Sequence, residues 1–232
     1  MSFGATTRPS PTTLMGRVIL LLAGSLMATF CYAVTIRAGL GLGPLYVLQD
    51  GVARQLGIAI GTSVMVTGFA LVFVALALRS WPGPGTLALP VFGGVTLDAL
   101  LPHLPDIHGR PVRLAAVVVA TWMMALAGAL MIRASVGVAA YDAVMLGLRR
   151  TFGRRLGPTR IAMEMTALTA GWLLGGSVGA GTVITGLLIG PGIQFWLRLI
   201  GGPSSRGMVD GAESPSGPRE WAAPSGKKAG SY

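Results

Sequence analysis

Charge is scarce in this chain. Of 232 residues only 11% are Asp, Glu, Lys or Arg, where a soluble domain carries about 25%. So few charges cannot wet a surface of this size, which excludes an ordinary soluble globular domain. Cysteine is scarcer still. The single Cys31 excludes an internal disulfide framework and a multi-thiolate metal site. It sits in an apolar run, where a free cysteine acts as a small buried hydrophobe. Phe30 before it is too bulky for a lipoprotein cleavage site. Histidine is limited to His103 and His108, either side of Asp106. With Pro102 and Pro105 beside them, they read as an exposed turn and not as a metal site. No Ser/His/Asp set, paired carboxylate or phosphate-binding Gly-Lys-Ser/Thr loop is present. The Gly39-x-Gly41-x-Gly43 run lacks the strand–turn–helix context of a dinucleotide fingerprint. The expectation is therefore no enzyme, no metal and no cofactor.

What the chain has is apolar length. Hydrophobic residues make up 52% and the mean hydropathy is +0.68. A membrane-spanning helix needs about 17–25 mainly apolar residues. Six stretches approach this: 18–36, 60–78, 86–101, 114–132, 160–174 and 182–199. The first is too long for a signal peptide and more spans follow it, so it reads as retained. The net charge of +10 suggests nucleic acid, but the basic residues flank apolar runs. That is how membrane proteins fix their topology, so no nucleic-acid partner is expected. With the N-terminus inside, fourteen of the 18 Lys and Arg fall on the inner side, leaving Arg37, Arg54, Arg110 and Arg113 outside. Both termini are then cytoplasmic, and the location is the bacterial plasma membrane. Residues 201–232 are rich in Gly, Pro and Ser with no apolar period, and read as a disordered tail. Residues 1–16 read likewise.

The chain also repeats itself. Sliding it by 96 residues lays 17–101 on 113–197 without a gap. Arg17 falls on Arg113, Arg37 on Arg133, Gly41 on Gly137, Gly51 on Gly147, Gly57 on Gly153 and Gly85 on Gly181. Apolar coincidences mean little between membrane spans, but glycines and arginines in register mark matching turns and helix ends. Each half holds three spans, and an odd number reverses orientation. The fold expected is an all-α membrane protein of six transmembrane helices arranged as two inverted three-span repeats, 17–102 and 113–200, joined by an outer loop at 103–112. After the first span of each half, 44–56 and 140–152 have a helical apolar period but are too short to cross. Each is expected as a short amphipathic or re-entrant helix. Non-helical backbone such as 39–43 can lie at membrane depth only under protein cover or beside water.

The run Ile36-Arg-Ala-Gly-Leu-Gly-Leu-Gly-Pro44, followed by a short helix ending near Gly57, resembles the bacterial YczE/YyaS/YitT family of membrane proteins, the YczE type in particular. The second half carries the matching Ile132-Arg-Ala-Ser-Val-Gly137, Tyr141-Asp142 and the Gly-rich run from Gly175 to Thr182. The resemblance covers about 17–200. It implies a multi-pass membrane protein and no settled biochemical activity. The family usually has Trp-Asp after the first Gly-Pro, where this chain has Leu45-Tyr46. A carboxylate survives at the matching position only as Asp142.

Ionisable residues in membrane segments are costly and default to a functional hypothesis. Glu164 stands four residues after Arg160, so the two share a helix face and can pair. Asp98 lies near the end of the third span. Arg37 and Arg133 end equivalent spans, where snorkelling explains them and anion binding is the alternative. Asp142 opens the second short helix. Together these six form the candidate solute or ion pathway. Its chemistry is expected mostly from the second half, because Tyr46 matches Asp142 and Gly68 matches Glu164. Gly39, Gly41, Gly43, Gly137, Gly179 and Gly181 are expected to give tight turns and close helix approach. The functional reading is a small-solute transporter or permease. The alternative is a non-transporting accessory factor supporting a partner complex or export system. The partners expected are the lipid bilayer and an unidentified small solute, with a membrane-protein partner or homo-oligomer left open.

Overall fold

A computed structural model describes residues 13–80, 84–134, 140–152 and 156–200. Gly137, Arg154, Arg155, the tail 201–232 and most of the N-terminal tail lie outside the described residues. Among the described residues there are eight helices and no strand: α1 Leu14–Ala38, α2 Pro44–Leu56, α3 Ile60–Ala77, α4 Pro84–Leu100, α5 Arg110–Ala134, α6 Ala140–Phe152, α7 Leu156–Leu173 and α8 Ala180–Ile200. A single 3₁₀ turn, Leu101–His103, follows α4.

Local chemistry sets the ends. The Thr13 hydroxyl accepts from the Gly16 N–H at 3.3 Å and starts α1. The helix therefore begins at Leu14, ahead of the tail boundary expected at residue 17. Gly39, with φ of 60°, ends it in the left-handed conformation that only glycine adopts cheaply. Pro44 occupies the first turn of α2, where a missing N–H costs nothing. Likewise α5 opens at Arg110, shortening the loop expected over 103–112.

Five helical stretches are long and apolar enough to cross a membrane among the described residues: Leu14–Ala38, Ile60–Ala77, Gly85–His103, Arg110–Ala134 and Ala180–Ile200. The sixth expected span falls in α7. It has 18 residues, but Arg160 and Glu164 lower its hydropathy and it does not join the five. The short helices α2 and α6 occupy the stretches their periodicity picks out. At 13 residues each they are about 20 Å long, against a hydrocarbon core of about 30 Å. The outer surface carries Phe73, Leu173 and Leu187, each more than two-thirds exposed, a surface suited to lipid.

Lipid gives no hydrophobic drive to helix association, so close approach must supply it. The pair α1 and α5 forms the centre, running antiparallel. Gly24 in the middle of α1 lies against Met131 near the end of α5, and Gly39 at the end of α1 meets Arg113 at the start of α5. On α8, Gly192 lies against Ala125 of α5, and the Trp196 indole N–H donates to the Trp122 carbonyl at 3.3 Å. Gly61 and Gly94 join α3 to α4. Gly51 of α2 packs on Gly171 of α7, while Gly147 of α6 packs on Leu78 just past the end of α3.

The non-helical segment 39–43 meets the turn between α7 and α8. The Gly181 N–H donates to Leu40 O at 2.7 Å and the Leu42 N–H to Ser177 O at 3.1 Å. Gly41, with φ of 99°, approaches Gly179 backbone to backbone. Gly43 lies against Thr185. A Cβ on Gly179 would press into Leu40 O, and one on Gly181 into Gly41 O. Accordingly, Gly179→Ala should lower stability by about 1–3 kcal/mol. Gly186→Ala, a helical glycine with nothing within 4 Å of the added methyl, should lose none. Thermal unfolding in detergent micelles reads both, and equal melting temperatures would contradict the close-packed junction.

Candidate functional site

The six ionisable candidates are placed mostly at helix ends. Arg37, on the last turn of α1, donates from Nη1 to Asp106 at 2.8 Å and from Nη2 to the Leu101 carbonyl. Arg133, on the last turn of α5, donates to the Ile200 carbonyl at the end of α8. Each arginine thus serves a carbonyl at or just past the end of a later helix, Leu101 after α4 and Ile200 in α8, where the helix dipole favours a cation. Arg113, absent from the candidates, does the same for α1 through Ala38 O and Gly39 O. Asp98 accepts from the Gly61 N–H at 2.6 Å, the Thr62 N–H at 3.0 Å and the Thr62 hydroxyl at 3.2 Å. It caps the start of α3 from the neighbouring helix, satisfying N–H groups that have no partner within α3.

On α7, Arg160 Nε donates to Glu164 at 3.0 Å, and both side chains are partly exposed. Asp142, in the first turn of α6, faces this pair. Burial raises its carboxyl above the ordinary carboxylate range, and the Arg160 guanidinium opposes that rise.

A second charged cluster escaped the sequence reasoning. Asp50 of α2 is buried and accepts from Arg54 Nε at 3.1 Å and from the Ser177 N–H at 2.7 Å. Arg54 closes the ring by donating to the Ser177 hydroxyl at 2.9 Å. The signal was available, since Asp50 and Arg54 stand four apart on a helix. It ties α2 of the first half to the α7–α8 turn of the second.

The cavity with polar walls lies elsewhere. Its volume is ≈ 180 Å³, and it opens where α1, α2, α3 and α4 meet Met131, Ala140 and Tyr141 of the second half. Its polar lining is Ser25, Thr29, Tyr32, Tyr46, Gln49 and Tyr141. None of the six ionisable candidates lines it, and among the described residues the walls carry no charge. Five of the six polar groups come from the first half, so the chemistry at this cavity is not weighted to the second. These residues went unseen because neutral side chains do not announce themselves by the cost of burying charge. The one available signal was the 25, 29, 32 spacing, which puts a serine, a threonine and a tyrosine on one face of α1.

Packing fixes these groups. The Tyr32 and Tyr46 rings stack at 3.9 Å between centroids. The Ser63 hydroxyl donates to the Gln49 carbonyl at 2.6 Å, holding α2 on α3. The Gln49 amide oxygen and the Tyr141 hydroxyl belong to lining residues but are themselves buried, and have no hydrogen-bond partner. A second, apolar groove of ≈ 510 Å³ runs between α2, α6 and α7 past Leu48, Val144 and Met163. Such an arrangement can bind and orient a molecule, but it offers no nucleophile with a base beside it.

The two ion pairs should differ in worth. Asp50→Asn removes a buried charge that two donors need, and is expected to cost about 1–3 kcal/mol. Asp106→Asn, at a carboxylate 65% exposed, should cost about 1 kcal/mol or less. Melting temperatures of the two variants in micelles decide this, and the reverse order would refute the assignment.

Comparison with known proteins agrees with a membrane protein. The model of a family of unknown function, DUF6198, matches residues 15–198. An uncharacterized protein of Haemophilus influenzae is 30% identical over 169 residues, covering 71% of this chain and 76% of its own length. The uncharacterized membrane protein YczE of Bacillus subtilis is 28% identical over 180 residues, covering 75% of this chain and 82% of its own. The resemblance to the YczE type is thereby shown. No solved structure matches.

Proposed function

The chain belongs to the family of unknown function DUF6198, and from that premise we propose that this membrane protein is a small-solute transporter or permease. The observation that carries the reading is the ≈ 180 Å³ uncharged cavity where α1, α2, α3 and α4 meet Met131, Ala140 and Tyr141. Transporters built from inverted repeats hold their solute near the midplane, at the interface between repeats, beside broken helices. The proposal includes that architecture: six spans, with α7 as the fifth, in two inverted halves. Its support is threefold. The equivalent helices α1 and α5 run antiparallel, as inversion requires. Equivalent contacts recur, with α2 on α7 matched by α6 on α3 and α1 on α4 matched by α5 on α8. The outer arginines Arg37 and Arg113 gather at one end of the α1–α5 pair, while Arg133 lies at the other. Cytoplasmic termini in a bacterial plasma membrane follow from the arginine count. No catalytic activity is part of the proposal.

The accessory-factor reading draws on one observation, the apolar groove of ≈ 510 Å³, which has the character of a seat for a helix of another membrane protein.

Flux separates the two. In proteoliposomes, the parent should pass at least one of a panel of small uncharged solutes. Gly93→Leu adds a side chain at the cavity wall, where a Cβ meets only Thr29 Oγ1 at 3.6 Å. It should cut that flux by at least about tenfold, a loss of about 1.4 kcal/mol. Asp106→Asn, at an exposed carboxylate remote from the cavity, should leave it. No flux for any solute, with a stable partner co-purifying, would sink the transport reading. Topology is read separately in a Cys31→Ser background. A His108→Cys thiol should react with impermeant maleimide from outside intact cells, and a Ser205→Cys thiol only after the cells are opened.

A further inference from the structure

We infer that the outer face of α8 is a dimer interface, occupied by the same face of a second copy of this chain. The inference goes beyond the transport reading and needs only that α8 crosses the bilayer. Of the five spans α8 is the least covered: 17% of its apolar window is buried, against 28% to 44% in the other four. Its inner side packs on α5, where Thr185 meets Thr121 at 3.3 Å and Gly192 lies against Ala125. At 3.6 residues per turn, Val183, Gly186, Leu187, Gly190 and Gln194 fall together on the opposite side. Val183 and Leu187 are both well exposed there.

Valine and leucine facing lipid need no explanation, but Gln194 does. With 21 residues, α8 is about 31 Å long, close to the ~30 Å hydrocarbon core. Gln194 stands four residues past Gly190 at the middle of the helix, so it lies about 6 Å from the midplane. Its side chain is exposed, and among the described residues no hydrogen bond reaches it. A bare amide in hydrocarbon is costly, having two N–H donors and a carbonyl to satisfy. Polar side chains of membrane spans find their partners on other helices. The described chain offers none at this face, so the partner comes from another molecule.

Depth and chemistry identify that molecule. In lipid only a group at the same depth can meet Gln194. Copies inserted in one orientation are related by an axis along the membrane normal, and about a twofold axis the same patch meets itself. Gln194 therefore meets a second Gln194 at its own depth. An amide both donates and accepts, so two of them complement each other, where two ionised groups of one sign would repel. The backbone beside Gln194 is bare enough for the approach. A Cβ added at Gly186 or Gly190 meets nothing within 4 Å, and glycines at this spacing let two helices come close. Helices that cross at such glycines splay towards their ends, which keeps the two Arg198 side chains apart. Alanine at Gly186 is still small enough for the contact, whereas leucine at Gly190 holds the helices apart.

Counting copies in lipid tests this. The full chain carries Cys31→Ser and a dye at Ser205→Cys, and is reconstituted in phosphatidylcholine liposomes over a range of densities. Single-molecule photobleaching should pass from one step to two as density rises, and stop at two. Gln194→Leu should move the midpoint to about threefold higher density and Gly190→Leu to at least about tenfold higher. Phe73→Ala, on the exposed surface of α3, should not move it. A second measurement stands if a variant misfolds: in the Cys31→Ser background, Leu187→Cys should cross-link to its counterpart under mild oxidant and Phe73→Cys should not. Four results would each overturn the inference: single steps at every density; a dimer whose midpoint neither α8 variant moves; cross-linking through position 73 equal to that through 187; or a chain single in pure lipid that captures a different membrane protein only while Gln194 is intact. A dimer that passes no solute sinks the transport reading and leaves this interface standing, and flux through single copies does the reverse.

Discussion

Backbone that leaves a helix in a water-poor environment must find its hydrogen bonds in other backbone. The segment 39–43 and the α7–α8 turn solve this by pairing with each other, through Gly181 N–H to Leu40 O and Leu42 N–H to Ser177 O. The glycines there are needed because those bonds bring two chains closer than a Cβ permits. The Asp50 carboxylate then holds the same turn from the side, through the Ser177 N–H. Much else depends on this junction. It brings α2 against α7, and it fixes where Gln49 and Tyr46 stand relative to α1. A short helix of 13 residues keeps its place because protein, and not lipid, covers its broken end.

The same constraint governs where charge goes. A membrane protein with few charges can be expected to use each of them at a functional centre. Here they are used on the backbone instead. Arg37, Arg113 and Arg133 meet carbonyls at helix ends, and Asp98 meets N–H groups at a helix start. Helix termini leave donors and acceptors without intrahelical partners, and in lipid each such group is expensive. Spending the ionisable residues there leaves the cavity neutral.

The division of labour between the halves follows. At the cavity, residues 17–102 and 113–200 contribute unequally. Tyr46 stacks on Tyr32, while the aligned Asp142 lies within electrostatic reach of the Arg160 guanidinium. Residues 25–97 furnish most of the cavity wall, and Met131, Ala140 and Tyr141 complete it.

From its residues alone the chain determined the elements. Apolar run length, the glycine and proline punctuation and the internal repeat together specify the helices, including the short ones at 44–56 and 140–152, because these are local properties of backbone and solvent. The pairing of Arg160 with Glu164 was equally legible, being a matter of helical spacing. What only the tertiary structure decided is which side chains face a common space. Gln49, Tyr32 and Tyr141 lie far apart in the chain and are neutral, so neither spacing nor charge links them. Only the packing of α2 between its neighbours brings them together. The reach of Arg37 to Leu101 and of Asp98 to Gly61 spans the same kind of distance along the chain. Three of the charged candidates, Arg37, Asp98 and Arg133, serve helix ends because such an end, invisible to local pattern, lies within their reach.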